Sequence, residues 1–212
     1  YDYYALLNND MDVDRDWLEV LVDIAESDKK IGVVGPKLVY AKKRENRYVI
    51  NSAGGVVNRR YMSFDRFEGK VDDGSYDRVE EVDFISGGAM LLRASAVQEV
   101  GGFDDRMFFY FEDVDLCLRM QDTGWKVVYC GMTCVYHDHM ASSRSWGSAR
   151  RTFLSGMNRI KSIQRRKGIF PAAVEMIRTP FEWGVLKVLS IFTDLSYHTW
   201  LIDGARKEGL KL

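Results

Sequence analysis

The stretch "YYALLNNDMDVDRDWLEVLVDIAESDKKIGVVG", residues 3–35, passes from one periodicity to another and back. Tyr3 to Leu7 is a short aromatic and aliphatic run that reads as a buried strand, and acids begin where it stops. Asp16 is placed as an N-cap with Glu19 three residues on, and Leu18, Leu21, Val22 and Ala25 follow at helical spacing. "IGVVG", residues 31–35, reads as the next strand, closed by Gly35-Pro36. Strand, acidic loop, helix and strand make a β-α-β unit, the signature of an α/β fold with a mostly parallel sheet.

The acidic loop sets Asp10, Asp12, Asp14 and Asp16 at every second position, so their repulsion must be offset by a cation or by water. An EF-hand loop needs glycine at its sixth position and a bidentate glutamate at its twelfth; counted from Asp10, these are Arg15 and Leu21, and that reading fails. What remains is a carboxylate cluster at the carboxyl end of a strand, where open α/β sheets place their ligands. Hard cations such as Mg²⁺ or Mn²⁺ are held there by one or two carboxylates together with phosphate oxygens. Asp14 and Asp16 read better as a turn that starts the next helix, Asp10 reads better as a ligand, and Asp12 stays open.

At 212 residues the chain suits one domain, or one domain with a helical extension. Thirty basic residues against thirty-one acidic leave no global charge that names a partner. The local distribution says more, because residues 144–167 hold eight basic side chains and no acid. That run faces something anionic, such as a membrane surface or a diphosphate, or it is a solvated helix face. Few aromatics and no recognised motif accompany it, which argues against nucleic acid. Cys117, Cys130 and Cys134 are odd in number and read as reduced and intracellular. No apolar run reaches the roughly 20 residues a spanning helix needs; the nearest candidate, "VLKVLSIF" at 185–192, contains a lysine. Residue 1 already opens a strand-like run, so no signal peptide is read and upstream sequence is expected to be missing.

Residues 41–80 read as a polar excursion with weak strand signals at 48–51 and 54–57. Order returns with a strand near 81–85, the pair Gly87-Gly88, an apolar stretch, and a short helix capped by Ser95 and ended by Gly101-Gly102. Glycines there would let a substrate approach the backbone, or would simply make a tight turn. Glu112-Asp113 follow four aromatic residues at the start of a helix whose face holds Val114, Cys117, Leu118 and Gln121, with Gly124 as the residue just past its end. A helix start keeps a carboxylate ionised, for capping or for accepting a proton. "KVVYC" and "TCVYH" read as two strands. Cys130, Cys134, His137 and His139 raise zinc, but their spacing fits no common zinc pattern, and a lone histidine past a strand end sharing one cation with an acid is simpler to build. The rest, from Ser145 to about Gly204, reads as mostly helical.

The phrases "YYALLNNDMDVDRDWLEVLV", "IGVVGPKLVY", "FISGGAMLLRASAVQEVGGFDDRMFFYFEDVDLCLRMQDTGWKVVY" and "VYHDHMASS" together resemble the family 2 glycosyltransferases of the GT-A fold, especially the rhamnosyltransferase-like branch that builds surface polysaccharides. The resemblance covers most of residues 3–143 and is most specific over 84–129. It implies a partial GT-A domain, Rossmann-like with a mostly parallel mixed sheet flanked by helices, over residues 1–143, and a C-terminal helical extension, basic at its start, over 144–212.

It further implies transfer of a hexosyl or rhamnosyl group from a nucleotide-diphosphate sugar to a saccharide or lipid-linked acceptor, inverting and dependent on Mg²⁺ or Mn²⁺. Asn8-Asn9-Asp10 stands where the family carries its D-x-D-like metal motif, with asparagine for the first acid. By the same resemblance Asp10 and His137 are metal ligands, Asp113 is the catalytic base beside Glu112, and Asn8, Gly87 and Gly88 line the substrate pocket. The family's leading βαβ segment, which binds base and ribose, has no counterpart here, so weak or no nucleotide-sugar binding is expected of this chain. Cytoplasmic placement at the inner membrane face is expected too, with a peripheral contact through 144–167. Later helices carrying Phe170, Phe181, Trp183 and Phe192 would pack on lipid, on the catalytic domain or on a second copy in a homo-oligomer. The alternative reading is a non-catalytic carbohydrate or lipid-headgroup binding module.

Overall fold

Two pairs of neighbouring valines, Val33-Val34 and Val127-Val128, fix where the sheet lies. Side chains alternate across a strand. Val33 and Val127 therefore enter one core with Met90, Leu116 and Met120, while Val34 and Val128 enter a second with Leu21, Ala25 and Leu91. A sheet buried on both faces reads as continuous apolar runs, as "IGVV" and "VVY" do.

The computed structural model describes residues 1–138 and 148–179. Strands β1 (Tyr3–Leu7) and β2 (Met11–Val13) precede helix α1 (Trp17–Ser27), then β3 (Ile31–Arg44), β4 (Arg47–Ser52), β5 (Gly55–Val57), β6 (Ser63–Asp65), β7 (Val79–Glu81) and β8 (Ala89–Arg93). Helices α2 (Ala94–Val100) and α3 (Glu112–Asp122), strand β9 (Lys126–His137) and helix α4 (Ser148–Lys167) follow. A further helical stretch covers 169–179.

The sheet is mixed, with order β1-β8-β3-β9-β2, β4 on the later half of β3 and β7 on β9. Parallel pairing is concentrated in its longest ladder, β3 with β9; the other pairings are antiparallel. Helix α1 covers one face through Leu21 and Ala25, and α2 and α3 cover the other through Ala96, Leu116 and Met120. This is the α/β architecture of a sheet flanked by helices.

Three local expectations are corrected. Strand β3 does not stop at Gly35-Pro36 but runs 14 residues, because Pro36 sits at a register shift in the β3–β9 ladder where its missing N–H is tolerated. "KVVYC" and "TCVYH" are one strand, β9, bulged between Cys130 and Cys134. Ser95 lies inside α2, whose N-cap is Arg93 with no side-chain capping bond. Gly101 ends α2 in the left-handed conformation as read.

Candidate active site

Strand β1 releases the chain at Leu7, and the turn of Asn8 to Asp10 feeds β2, which the polar sequence hid. The exposed Asn8 donates its backbone N–H to the Gly88 carbonyl at 2.8 Å. One residue earlier, the Gly87 N–H donates to Asp113 Oδ2 at 2.7 Å. The glycine pair thus ties the acidic turn to the start of α3. Both glycines are closely packed: a Cβ on Gly87 would lie 3.3 Å from that of Asp113, and one on Gly88 would displace the Met11 methyl.

The Asp10 side chain is 4% exposed, and its Oδ2 lies 3.5 Å from Nε2 of His137, the last residue of β9. Pairing of Met11 with His137 across β2 and β9 brings the two together. On its far side the imidazole meets Asn51 of β4, Nδ1 to Oδ1 at 2.9 Å. If Nδ1–H donates to that oxygen in a neutral ring, Nε2 turns a lone pair toward the Asp10 carboxylate. Two electron-rich atoms facing one another suit a cation. Among the described residues no three His, Cys, Asp or Glu side chains converge on one point, so an ion held by Asp10 and His137 would complete its shell from substrate and water.

Asp113 accepts from Gly87 N–H through Oδ2 and from its neighbour Val114 N–H, at 2.8 Å, through Oδ1. Burial raises its pKa, opposed by those two N–H donors. Glu112 is pushed up to about 7 by burial and then by the charge of Asp113, and its Oε2 is buried without a partner. Burial thus raises both carboxyls, but their surroundings differ: each Asp113 oxygen receives a backbone N–H, while Glu112 Oε2 has no partner.

A third acid was not singled out from sequence. Asp65 on β6 is raised to about 7 by burial, with added repulsion from Glu68 and Asp113 against a hydrogen bond from Ser52. It reaches the site because β5 pairs with β6, and Gly55 of β5 bonds Phe84 just before the glycine pair. Both Asn51 and Asp65 lie in the stretch read as an excursion. The nearest signal was the weak strand reading at 48–51, where β4 forms and presents Asn51 to His137.

The other acids of the ladder separate. Asp12 is exposed on β2. Asp14, read as a helix starter, instead accepts from the Cys134 N–H at 2.8 Å and the Tyr136 hydroxyl at 2.9 Å, pinning the end of β2 to β9. Asp16 occupies the N-cap of α1, but its side chain makes no capping bond. Cys130 packs in the α1 core with Leu21 and Val128. His139 lies outside the described residues.

Four residues of the basic run, Arg159, Lys161, Arg165 and Arg166, meet partners within the protein. Arg159, 4% exposed, donates to the Arg60 carbonyl and Glu175; Lys161 donates to the Arg106 carbonyl. Arg165 pairs with Asp104 and Asp115, and Arg166 with Asp122 and the Leu118 carbonyl. For Arg159, Arg165 and Arg166 the anionic partner is the protein itself, whereas Lys161 meets neutral acceptors. Phe170 is exposed, whereas Phe181, Trp183 and Phe192 lie outside the described residues. None of the described helices is long and apolar enough to cross a membrane.

Comparison with known proteins identifies the family. Residues 2–157 match the family model described as Glycosyltransferase like family 2. The pre-mycofactocin glycosyltransferase of Mycobacterium tuberculosis is 30% identical over 159 residues, 73% of this chain and 30% of that protein. The N-acetylglucosaminyl-diphospho-decaprenol L-rhamnosyltransferase of the same organism is 30% identical over 149 residues, 67% of this chain and 48% of that protein. The chain thus spans less than half the length of these relatives. Among solved structures, GalNAc-T7 with UDP, GalNAc and Mn²⁺ superimposes with a TM-score of 0.57 at 14% identity, over 77% of this chain and 31% of that one, a likeness of fold. With a family model matching residues 2–157, most of its length, the chain belongs to glycosyltransferase family 2.

Proposed function

We propose that the chain carries the acceptor-side and catalytic part of an inverting, divalent-metal-dependent glycosyltransferase that moves a sugar from a nucleotide-diphosphate sugar to an acceptor hydroxyl. The observation that carries this reading is the junction at Gly87-Gly88. There the Asn8 turn that leads to Asp10 and a carboxylate, Asp113, held by two backbone N–H groups meet on adjacent residues.

Asp113 takes the proton of the acceptor hydroxyl as that oxygen forms its bond to the anomeric carbon and the bond to the diphosphate oxygen breaks on the opposite face. Its two N–H donors orient the carboxylate, and burial keeps it from being too weak a base. Glu112, with a pKa of about 7, exchanges a proton with Asp113 or with solvent between turnovers. Asp10 and His137 would hold Mg²⁺ or Mn²⁺, which when bound offsets charge on the departing diphosphate. The role in surface polysaccharide or glycolipid synthesis, with a saccharide or lipid-linked acceptor, draws support from the relative whose name contains a diphospho-decaprenol-linked sugar. Cytoplasmic placement at the inner membrane face belongs to the same reading, and a peripheral contact there would fall to Lys167 and the basic residues before Arg159.

Release of nucleoside diphosphate from a panel of nucleotide sugars by the full-length protein, with and without Asp113→Asn, tests the assignment. Loss of roughly 10²–10⁴-fold in turnover with Mn²⁺ and nucleoside diphosphate binding retained by calorimetry supports the enzyme. Unchanged behaviour of the variant supports the non-catalytic binding module instead.

A further inference from the structure

Asp113 is delivered to Gly87 by a turn that two bulky residues enter against their preference. Tyr110 and Phe111 have φ of +66° and +75°, in the left-handed region that side chains with a Cβ rarely adopt. Such a conformation persists only when surrounding groups over-determine it. Phe111 is anchored by burial, and its carbonyl accepts the Asp115 N–H, the first bond of α3. The carbonyls of Phe109 and Tyr110 point away from the helix. Both end on one amide group, Nδ2 of Asn158 in α4, at 3.1 and 2.7 Å.

Asn158 is itself fixed. It is 2% exposed, and its Oδ1 accepts from Lys161 Nζ at 3.1 Å, while that same ammonium also reaches the Arg106 carbonyl at the front of the aromatic loop. Adjacent Arg159 anchors α4 through the Arg60 carbonyl, Glu175 and Thr179. An amide that donates two hydrogens to successive carbonyls matches this turn in a way that a hydroxyl or a carboxylate cannot.

We propose that Asn158 is a positioning residue for the transfer reaction, its side-chain amide holding the left-handed Phe109–Phe111 turn that sets Glu112 and Asp113 against Gly87. Helix α4 is then part of the active site's frame rather than an appendage. The inference rests on Asp113 being the base, but its structural claim is separable from that reading.

The test is a carboxyl NMR titration of Glu112 and Asp113 in the 212-residue chain. The groups that bear on this pair are each other, with Asp65 and Cys117 facing Asp113. In the parent, Glu112 titrates near 7. In Asn158→Leu, similar in size but without a donor, the turn relaxes and Glu112 falls back toward the ordinary glutamate range. Adding Tyr110→Gly, which adopts the left-handed conformation freely, restores the titration near its parent value. If Asn158→Leu does not fold, Asn158→Ser takes its place with the same expectation. A folded Asn158 variant whose Glu112 titrates as in the parent overturns the proposal, as does failure of Tyr110→Gly to restore it. Asp113→Asn leaving turnover unaffected would refute the catalytic reading without touching these titrations, so the two fail separately.

Discussion

Asp113 and Glu112 are consecutive carboxyls in different surroundings, the first bonded by two backbone N–H groups and the second with a buried oxygen that has no partner. Because Glu112 is raised from 4.5 to about 7, the folded chain binds more protons than the unfolded chain between those values. Its contribution to stability is therefore fully present below about 4.5 and is lost as pH rises through 7, with Asp65 adding to the same slope. Urea unfolding of the parent should show stability falling across this window, and Glu112→Gln should flatten part of the fall; an unchanged slope in the variant would contradict the assigned burial. At the cation pair, Asn51 fixes the ring nitrogen turned away from Asp10. Replacing it with alanine should weaken Mn²⁺ binding by about 10–100-fold in calorimetry, as loss of an outer-shell partner does. Asp10, His137 and the Glu-Asp pair were legible because each sits at an element boundary marked by a change in hydrophobic period. Asn51 and Asp65 were not, since the group each one meets, His137 for Asn51 and Asp113 for Asp65, lies far along the chain, which no local pattern records.

At the level of elements, β9 carries the main lesson about reading strands. Gly131 and its neighbours interrupt the apolar alternation, so one strand reads as two; in space the interruption is a bulge that lets a single strand pair with β3 on both sides of Pro36. Gly131 donates its N–H to the Arg78 carbonyl at 2.8 Å, and a Cβ there would overlap the Tyr76 carbonyl oxygen. The backbone of 76–78 thus lies directly on this glycine. Gly131→Ala should force that segment away and destabilise the chain by about 1–3 kcal/mol, the range for an overpacked site. The measurement is the urea midpoint, with Gly124→Ala, strained by its positive φ but with open space around it, as the comparison. The α/β class was legible from the first 35 residues because both faces of β3 and β9 are buried and β3 shows it as a continuous apolar run. Strand β2 was hidden because its three residues alternate an acid between two apolar side chains in a stretch too short to show a period.

The whole molecule turns on how the helices after residue 148 grip the rest. Composition showed a basic block without saying where it pointed, because the carboxylates and carbonyls that receive it come from α3, from the loops at 60 and 104–106, and from residue 175. The buried point is Arg159, which reaches the tip of the β5–β6 hairpin through the Arg60 carbonyl at 2.7 Å. The Arg60 side chain returns to Glu175 through two bonds of 3.2 and 3.0 Å. Burial works against the charge of Glu175, yet the hydrogen bond from Arg60 and the two arginine charges hold its pKa below the usual glutamate value. Removing Arg159 leaves Glu175 its Arg60 partner but strips the Arg60 carbonyl and the Thr179 hydroxyl of a buried donor, so Arg159→Leu should lower stability by about 1–3 kcal/mol. If the block instead served mainly to attract anionic lipid, the same substitution would leave the urea midpoint unchanged and reduce flotation with anionic vesicles. The inward geometry predicts the reverse: a lowered midpoint, little change with salt because the pair is shielded from solvent, and flotation equal to the parent at a temperature where both remain folded.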